Sequence, residues 1–130
     1  MVTAAGARSQ PTSRGVNVRD DDGVQHELDT RSPLDLTPLE EEAVVSGTPA
    51  TGFRALTTVA DVEVGIWEMT PGTATDVEAD EVFVVLSGSA TVTFADGESL
   101  ELQPGSVVRL HAGEHTRWTI HETLRKVYVT

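Results

Sequence analysis

The chain has 130 residues, no cysteine, and a net charge of −12 from nine basic and 21 acidic residues. The length gives room for one hydrophobic core, the charge repels a phosphate backbone and so excludes nucleic acid as a partner, and the missing thiols exclude disulfides, thiolate catalysis and cysteine-ligated zinc. No apolar run approaches the roughly 20 residues of a membrane span and Met1 to Gln10 do not read as a secretory signal, so no membrane partner and a cytoplasmic location are expected.

In chain order, residues 1–38 come first, rich in Ser, Thr, Pro, Gly, Asp and Arg, with "RDDDG" at Arg19 to Gly23 and no sustained apolar periodicity. They are expected to form a flexible acidic and polar arm ahead of a single domain over 39–130. The stretch "SPLDLTPLEEEAVVSGTPATGF" carries the signals of one short helix, with Thr37 as its cap, Pro38 in its first turn and Glu40 to Glu42 at its positive end. An arm docking on a partner subunit is the alternative.

From Phe53 onward the pattern is strands and turns. "RALTTVADVEVGIWEMTPG" holds two β-rich runs broken at Ala60-Asp61 and stopped by Pro71-Gly72. "EVFVVLSG" is apolar on both faces, whereas "SATVTFADG" alternates Ala90, Val92 and Phe94 against Thr91 and Thr93 before an Asp96-Gly97 turn. "ESLELQPG", "SVVRLHAG", "EHTRWTIHE" and "TLRKVYVT" complete a series of about eight short strands, which predicts an all-β sandwich or barrel. The outward side of "EVFVVL", with Val82, Val84 and Leu86, needs a cover, either the opposite sheet or a second copy in a homodimer.

The order of Gly72, Glu81, Gly88, Asp96-Gly97, Pro104-Gly105 and Gly113 resembles the cupin superfamily, which implies a jelly-roll barrel, or double-stranded β-helix, with the flexible arm in front. "GIWEMTPG", "DEVFVVLSGSATVT", "LQPGSVV" and "TRWTIHETLRKVYV" narrow the resemblance to the branch of ureidoglycine aminohydrolase and the ethanolamine-utilisation cupins. Most metal-binding cupins place three histidines and one glutamate inside the barrel, a ligand set suited to iron, manganese, nickel or zinc. Here Glu81 matches the glutamate, but the paired histidine slots fall on Thr75 and Val77, or on Ala74 and Asp76 in the neighbouring register, and the last histidine slot falls on Thr116. The resemblance therefore implies no metal and no other cofactor; a metal at Glu81 is the less favoured alternative.

Strand alternation supplies the rest of the pocket. With Glu81 inward, Phe83 and Val85 follow; Trp118 joins with Thr116 and Ile120, leaving His115 and Arg117 outward, and Trp67 is a wall on an earlier strand. Near the end of the chain, Lys126 and Tyr128 are taken inward rather than Arg125, Val127 and Val129, because the resemblance favours that register. The expected ligand-binding set is Trp67, Glu81, Phe83, Trp118, Lys126 and Tyr128. The expected function is metal-independent binding of a small molecule, as a sensor, carrier or accessory protein. The alternatives are an enzyme on a small nitrogenous or carbonyl metabolite with Glu81 as acid-base residue, and a non-catalytic dimeric assembly barrel.

Overall fold

A computed structural model describes residues 26–130. Nine strands account for almost all of the regular structure: β1 (Thr37–Pro38), β2 (Val44–Ser46), β3 (Ala50–Val59), β4 (Val62–Met69), β5 (Gly72–Val77), β6 (Glu81–Phe94), β7 (Ser99–Leu102), β8 (Val107–Leu110) and β9 (His115–Val129). The long strands β6 and β9 lie antiparallel along nearly their whole length and each serves two sheets. One sheet runs β1-β3-β4, then the second half of β9, the first half of β6, and β8. The other runs β2-β5, then the first half of β9, the second half of β6, and β7. This is the expected all-β jelly roll.

The bend that lets two strands serve two sheets falls where their register shifts, between Val85 and Ala90 of β6. Gly88 sits in it with φ +91°, and a β-carbon there would run into the Thr123 carbonyl on β9. Only glycine takes that conformation without strain and without a clash.

Alternation decides which side chains the two sheets trap between them. On β9, Thr116, Trp118, Ile120, Leu124, Lys126 and Tyr128 are buried; on β6, Glu81, Phe83, Val85, Ala90 and Val92 are buried. Trp67 and Met69 of β4, Ala74 of β5, Leu102 of β7, and Val108 and Leu110 of β8 complete the core. Gly65 faces Tyr128 across the β4–β9 ladder, and a side chain at that position would occupy the space of the phenol ring.

The expected short helix is not formed. Thr37 and Pro38 pair with Thr51 and Ala50 as a strand, and only one 3-10 turn follows, at Glu41–Ala43, with no side-chain cap. Three glutamates in succession carry no apolar stripe to bury, so tertiary pairing overrides the cap signals.

The greater part of the expected arm, residues 1–25, lies outside the described residues. From Asp29 the chain is tied to the outer face of its own barrel. Arg125 donates through Nη1 to the carbonyls of Thr30 and Ser32, both at 2.9 Å, while its Nε holds Glu68 at 2.8 Å. Arg54 reaches the Pro33 carbonyl at 3.5 Å and the Asp29 carbonyl at 3.3 Å. By alternation Ile66 shares this outer face with Arg54, and it is fully buried although it is not part of the interior cluster.

On another part of the outer surface, the apolar side of β6 is left uncovered by the described residues. Val82, Leu86 and Val107 are exposed, and the ladder places Val84 beside both Val107 and Val127, and Val82 beside Val129.

Candidate functional site

Lys126 enters the middle of the barrel from β9 and is fully buried. Its Nζ donates to Glu81 Oε2 at 2.7 Å. The same ammonium stands 4.1 Å from the ring centre of Phe83, 4.6 Å from that of Trp67 and 5.1 Å from that of Trp118. The rings also touch one another, with centroid separations of 5.9 Å for Trp67 and Trp118 and 5.7 Å for Phe83 and Trp118. A buried ammonium is costly unless it is paired, and the carboxylate and three π faces together replace its lost water. Lys126 is also the only lysine in the chain.

Four of the six expected site residues, Trp67, Glu81, Phe83 and Trp118, thus converge on a fifth, the ammonium of Lys126. Tyr128 is buried as well, and its hydroxyl donates to Glu63 Oε2 at 2.5 Å.

A second carboxyl group, absent from the expected set, lies nearer the end of the barrel. Glu78 sits in the connection between β5 and β6 and is 4% exposed. Its Oε2 accepts hydrogen bonds from Thr116 Oγ1 at 2.6 Å and Trp118 Nε1 at 3.1 Å. Its backbone is fixed on both sides, the N–H to Glu114 and the carbonyl to Gly113. Desolvation pushes its pKa up to about 7, with the nearby Asp76 adding to the rise and the bonds from Thr116 and Trp118 opposing it. The signal that locates it is simple parity, because Asp76 and Glu78 continue the inward positions of β5 two residues at a time.

Of the two registers considered for the missing histidines, the structure selects Ala74 and Asp76 as inward, and Thr75 and Val77 as outward and exposed. Asp76 is buried, with Oδ1 accepting from the Val77 N–H at 2.8 Å. Three carboxyl oxygens remain buried without a partner among the described residues: Asp76 Oδ2, Glu78 Oε1 and Glu81 Oε1.

A groove of about 660 Å³ crosses the rim of the second sheet at this end. It takes in Asp76 and Thr116 from the inward set, Thr75, Val77, His115 and Arg117 from the outward set, and Glu42 and Ala43 from the 3-10 turn. That volume is in the range of small-molecule sites.

A cupin metal ion does not fit these residues. The four histidines, His26, His111, His115 and His121, are all exposed, and Glu81 is already bonded to an ammonium. No group of three His, Cys, Asp or Glu side chains among the described residues is arranged to share one ion. The buried acids supply oxygen alone, and no three of them share one point.

A two-sheet roll entered from one end, with a glutamate from its sixth strand inside, is the architecture of the cupin superfamily. The family is narrower than that: the model of the EutQ-like cupin domain matches residues 57–128, more than half of the chain, and the chain belongs to it. Solved structures share the fold. A protein of unknown function from Pseudomonas syringae pv. tomato is 23% identical over 78% of this chain and 46% of its own, with a TM-score of 0.68. The EutQ protein of Clostridium difficile is 20% identical over 62% of this chain and 61% of its own, with a TM-score of 0.54. Ectoine synthase from P. lautus is 20% identical over 61% of this chain and 62% of its own, also with a TM-score of 0.54. The chain therefore spans less than two thirds of the length of each of these proteins, and at such identities the likeness is one of fold. Comparison with curated proteins found no match.

Two measurements check the site. Lys126→Met leaves the Glu81 carboxylate buried without its cation and should cost about 3–5 kcal/mol in urea unfolding. The double variant Lys126→Met/Glu81→Met should recover most of that loss; a double variant as unstable as the single one would mean that the two groups are not coupled.

The second measurement concerns Glu78, whose proton is held more tightly in the folded chain than in the unfolded one. Between the ordinary value of 4.5 and about 7, unfolding releases that proton, so stability falls as pH rises, by about 3 kcal/mol in all, and levels off above. Glu78→Gln keeps an acceptor for Thr116 and Trp118 and should flatten this part of the stability profile. An unchanged slope would place the titration elsewhere.

Proposed function

We propose that this protein is a metal-independent cupin that binds a small organic molecule, as a sensor, carrier or accessory protein. The observation that carries the reading is Lys126: an ammonium fixed to Glu81 and boxed by Trp67, Phe83 and Trp118 fills the interior position from which a cupin glutamate would otherwise serve a metal. In this reading the six residues expected from sequence form the barrel interior behind the site. The ligand meets the protein at the rim groove, where Asp76 and Thr116 are within its lining.

The enzymatic alternative keeps an acid-base carboxyl group but moves it from Glu81 to Glu78. Glu81 is held by Lys126, whereas the pKa of Glu78 near neutrality suits proton transfer. Kinship with ureidoglycine aminohydrolase itself rests on the sequence strings. A metal-dependent reaction of that kind is not proposed, since the corresponding Thr75 and Val77 point outward.

Protein purified without chelator should carry far less than one equivalent of iron, manganese, nickel or zinc, and chelator should leave its thermal midpoint unchanged. A metabolite from a thermal-shift screen should raise that midpoint. Stoichiometric metal that is lost on Glu81→Ala would overturn the reading, and turnover of the stabilising metabolite would select the enzyme.

We also propose that two copies pair through the apolar outer face around Val82, Leu86 and Val107. Solution scattering at micromolar concentration should report a dimer that Val107→Asp dissociates; a native monomer would remove this part of the reading.

A further inference from the structure

Resting on the ligand-binding reading, we infer that Asp76 and Glu78 form a site for an organic cation, an ammonium, amidine or guanidinium group that enters by the rim groove. Asp76 and Glu78 are 7% and 4% exposed, and each keeps one buried oxygen, Oδ2 and Oε1, without a partner among the described residues. Burial above all raises the pKa of Glu78 to about 7; in the ionised form that a bound cation favours, a carboxyl group only accepts hydrogen bonds, and leaving its oxygens buried and unpaired is costly. A ligand that satisfies them must bring N–H or O–H groups. A positive charge meets a pair of carboxyl groups best, and an anion would be repelled by both.

The barrel already solves the same problem once. At Glu81 the cation is the chain's own ammonium, set against aromatic faces. Among the described residues no lysine or arginine forms an ion pair with Asp76 or Glu78. Arg117 lines the same groove but projects from the outward side of β9 and forms no ion pair with either carboxylate.

The route from groove to site is drawn by Thr116. It lines the groove and donates to the Oε2 of Glu78, while Asp76, its partner across the β5–β9 ladder, lines the groove directly. Trp118 donates to the same Glu78 oxygen through Nε1, so its indole N–H reports on what happens there.

The test uses three probes of equal length, n-propylammonium chloride, 1-propanol and sodium propionate, titrated at matched ionic strength into the full chain. The readout is the indole N–H proton resonance of Trp118, one of two tryptophans, identified with Trp67→Phe. Propylammonium should shift this resonance saturably and bind at least about tenfold more tightly than propanol, with propionate weaker still. Asp76→Asn should weaken propylammonium binding by about tenfold.

Equal binding of propanol or propionate in the native protein would overturn the cation site and leave small-molecule binding standing. Unchanged binding by a folded Asp76→Asn would overturn it as well. No saturable response to any of the three would likewise overturn it, and the metabolite screen then decides the broader reading separately.

Discussion

The ion pair between Lys126 and Glu81 is the constraint around which the rest of the barrel is arranged. A charge with no access to water must be met on every side, and here the sides are supplied by different strands: Glu81 and Phe83 from β6, Trp67 from β4 and Trp118 from the far half of β9. Because β9 contributes both the cation and one of its aromatic walls, its two halves must stay at a fixed angle. The register shifts of β6 and the conformation of Gly88 set that angle. Packing, bend and electrostatics are therefore one problem with one solution, and loss of any wall exposes a charge rather than merely opening a void.

Compared with a metal centre, a tethered ammonium offers one fixed positive charge and hydrogen-bond donors, with no open coordination position. It can organise a pocket but cannot polarise a substrate by direct ligation while Glu81 and three rings surround it. Under the proposed reading, the groups left to meet a ligand lie toward the rim. There Glu78 is supported by Thr116 and Trp118 from below, and Asp76 stands on the adjoining strand. The rim is also where outward residues such as His115 and Arg117 come within reach of one groove, so the selectivity of the opening and the acidity of the interior can be tuned by different residues.

Alternation made much of this legible in the sequence. On β9 one parity runs unbroken from Thr116 to Tyr128 apart from Glu122 at the bend, and it places Trp118 and Lys126 inside together. On β6 the same rule carries Glu81 and Phe83 inward. The aromatic box itself was hidden, because parity states a side and gives no distances. Glu78 was missed because it lies beyond the end of a strand, where turns ordinarily reset the pattern; here the chain keeps its alternation for one more step before turning. The cap signals at Thr37 and Pro38 misled for the opposite reason. They are local, and the edge of β3 offered those residues a pairing that an isolated acidic turn could not match.

The burial of the only lysine gives the native surface an unusual chemistry. Eight arginines supply the remaining basic side chains, so the folded domain from residue 26 onward presents no primary amine to solvent. Reagents that acylate or reductively alkylate lysine can reach Lys126 only when the two sheets part. Its modification rate is then a clock for opening of the barrel, read at a single atom, and an acyl group once attached would bar the cation from closing the barrel again.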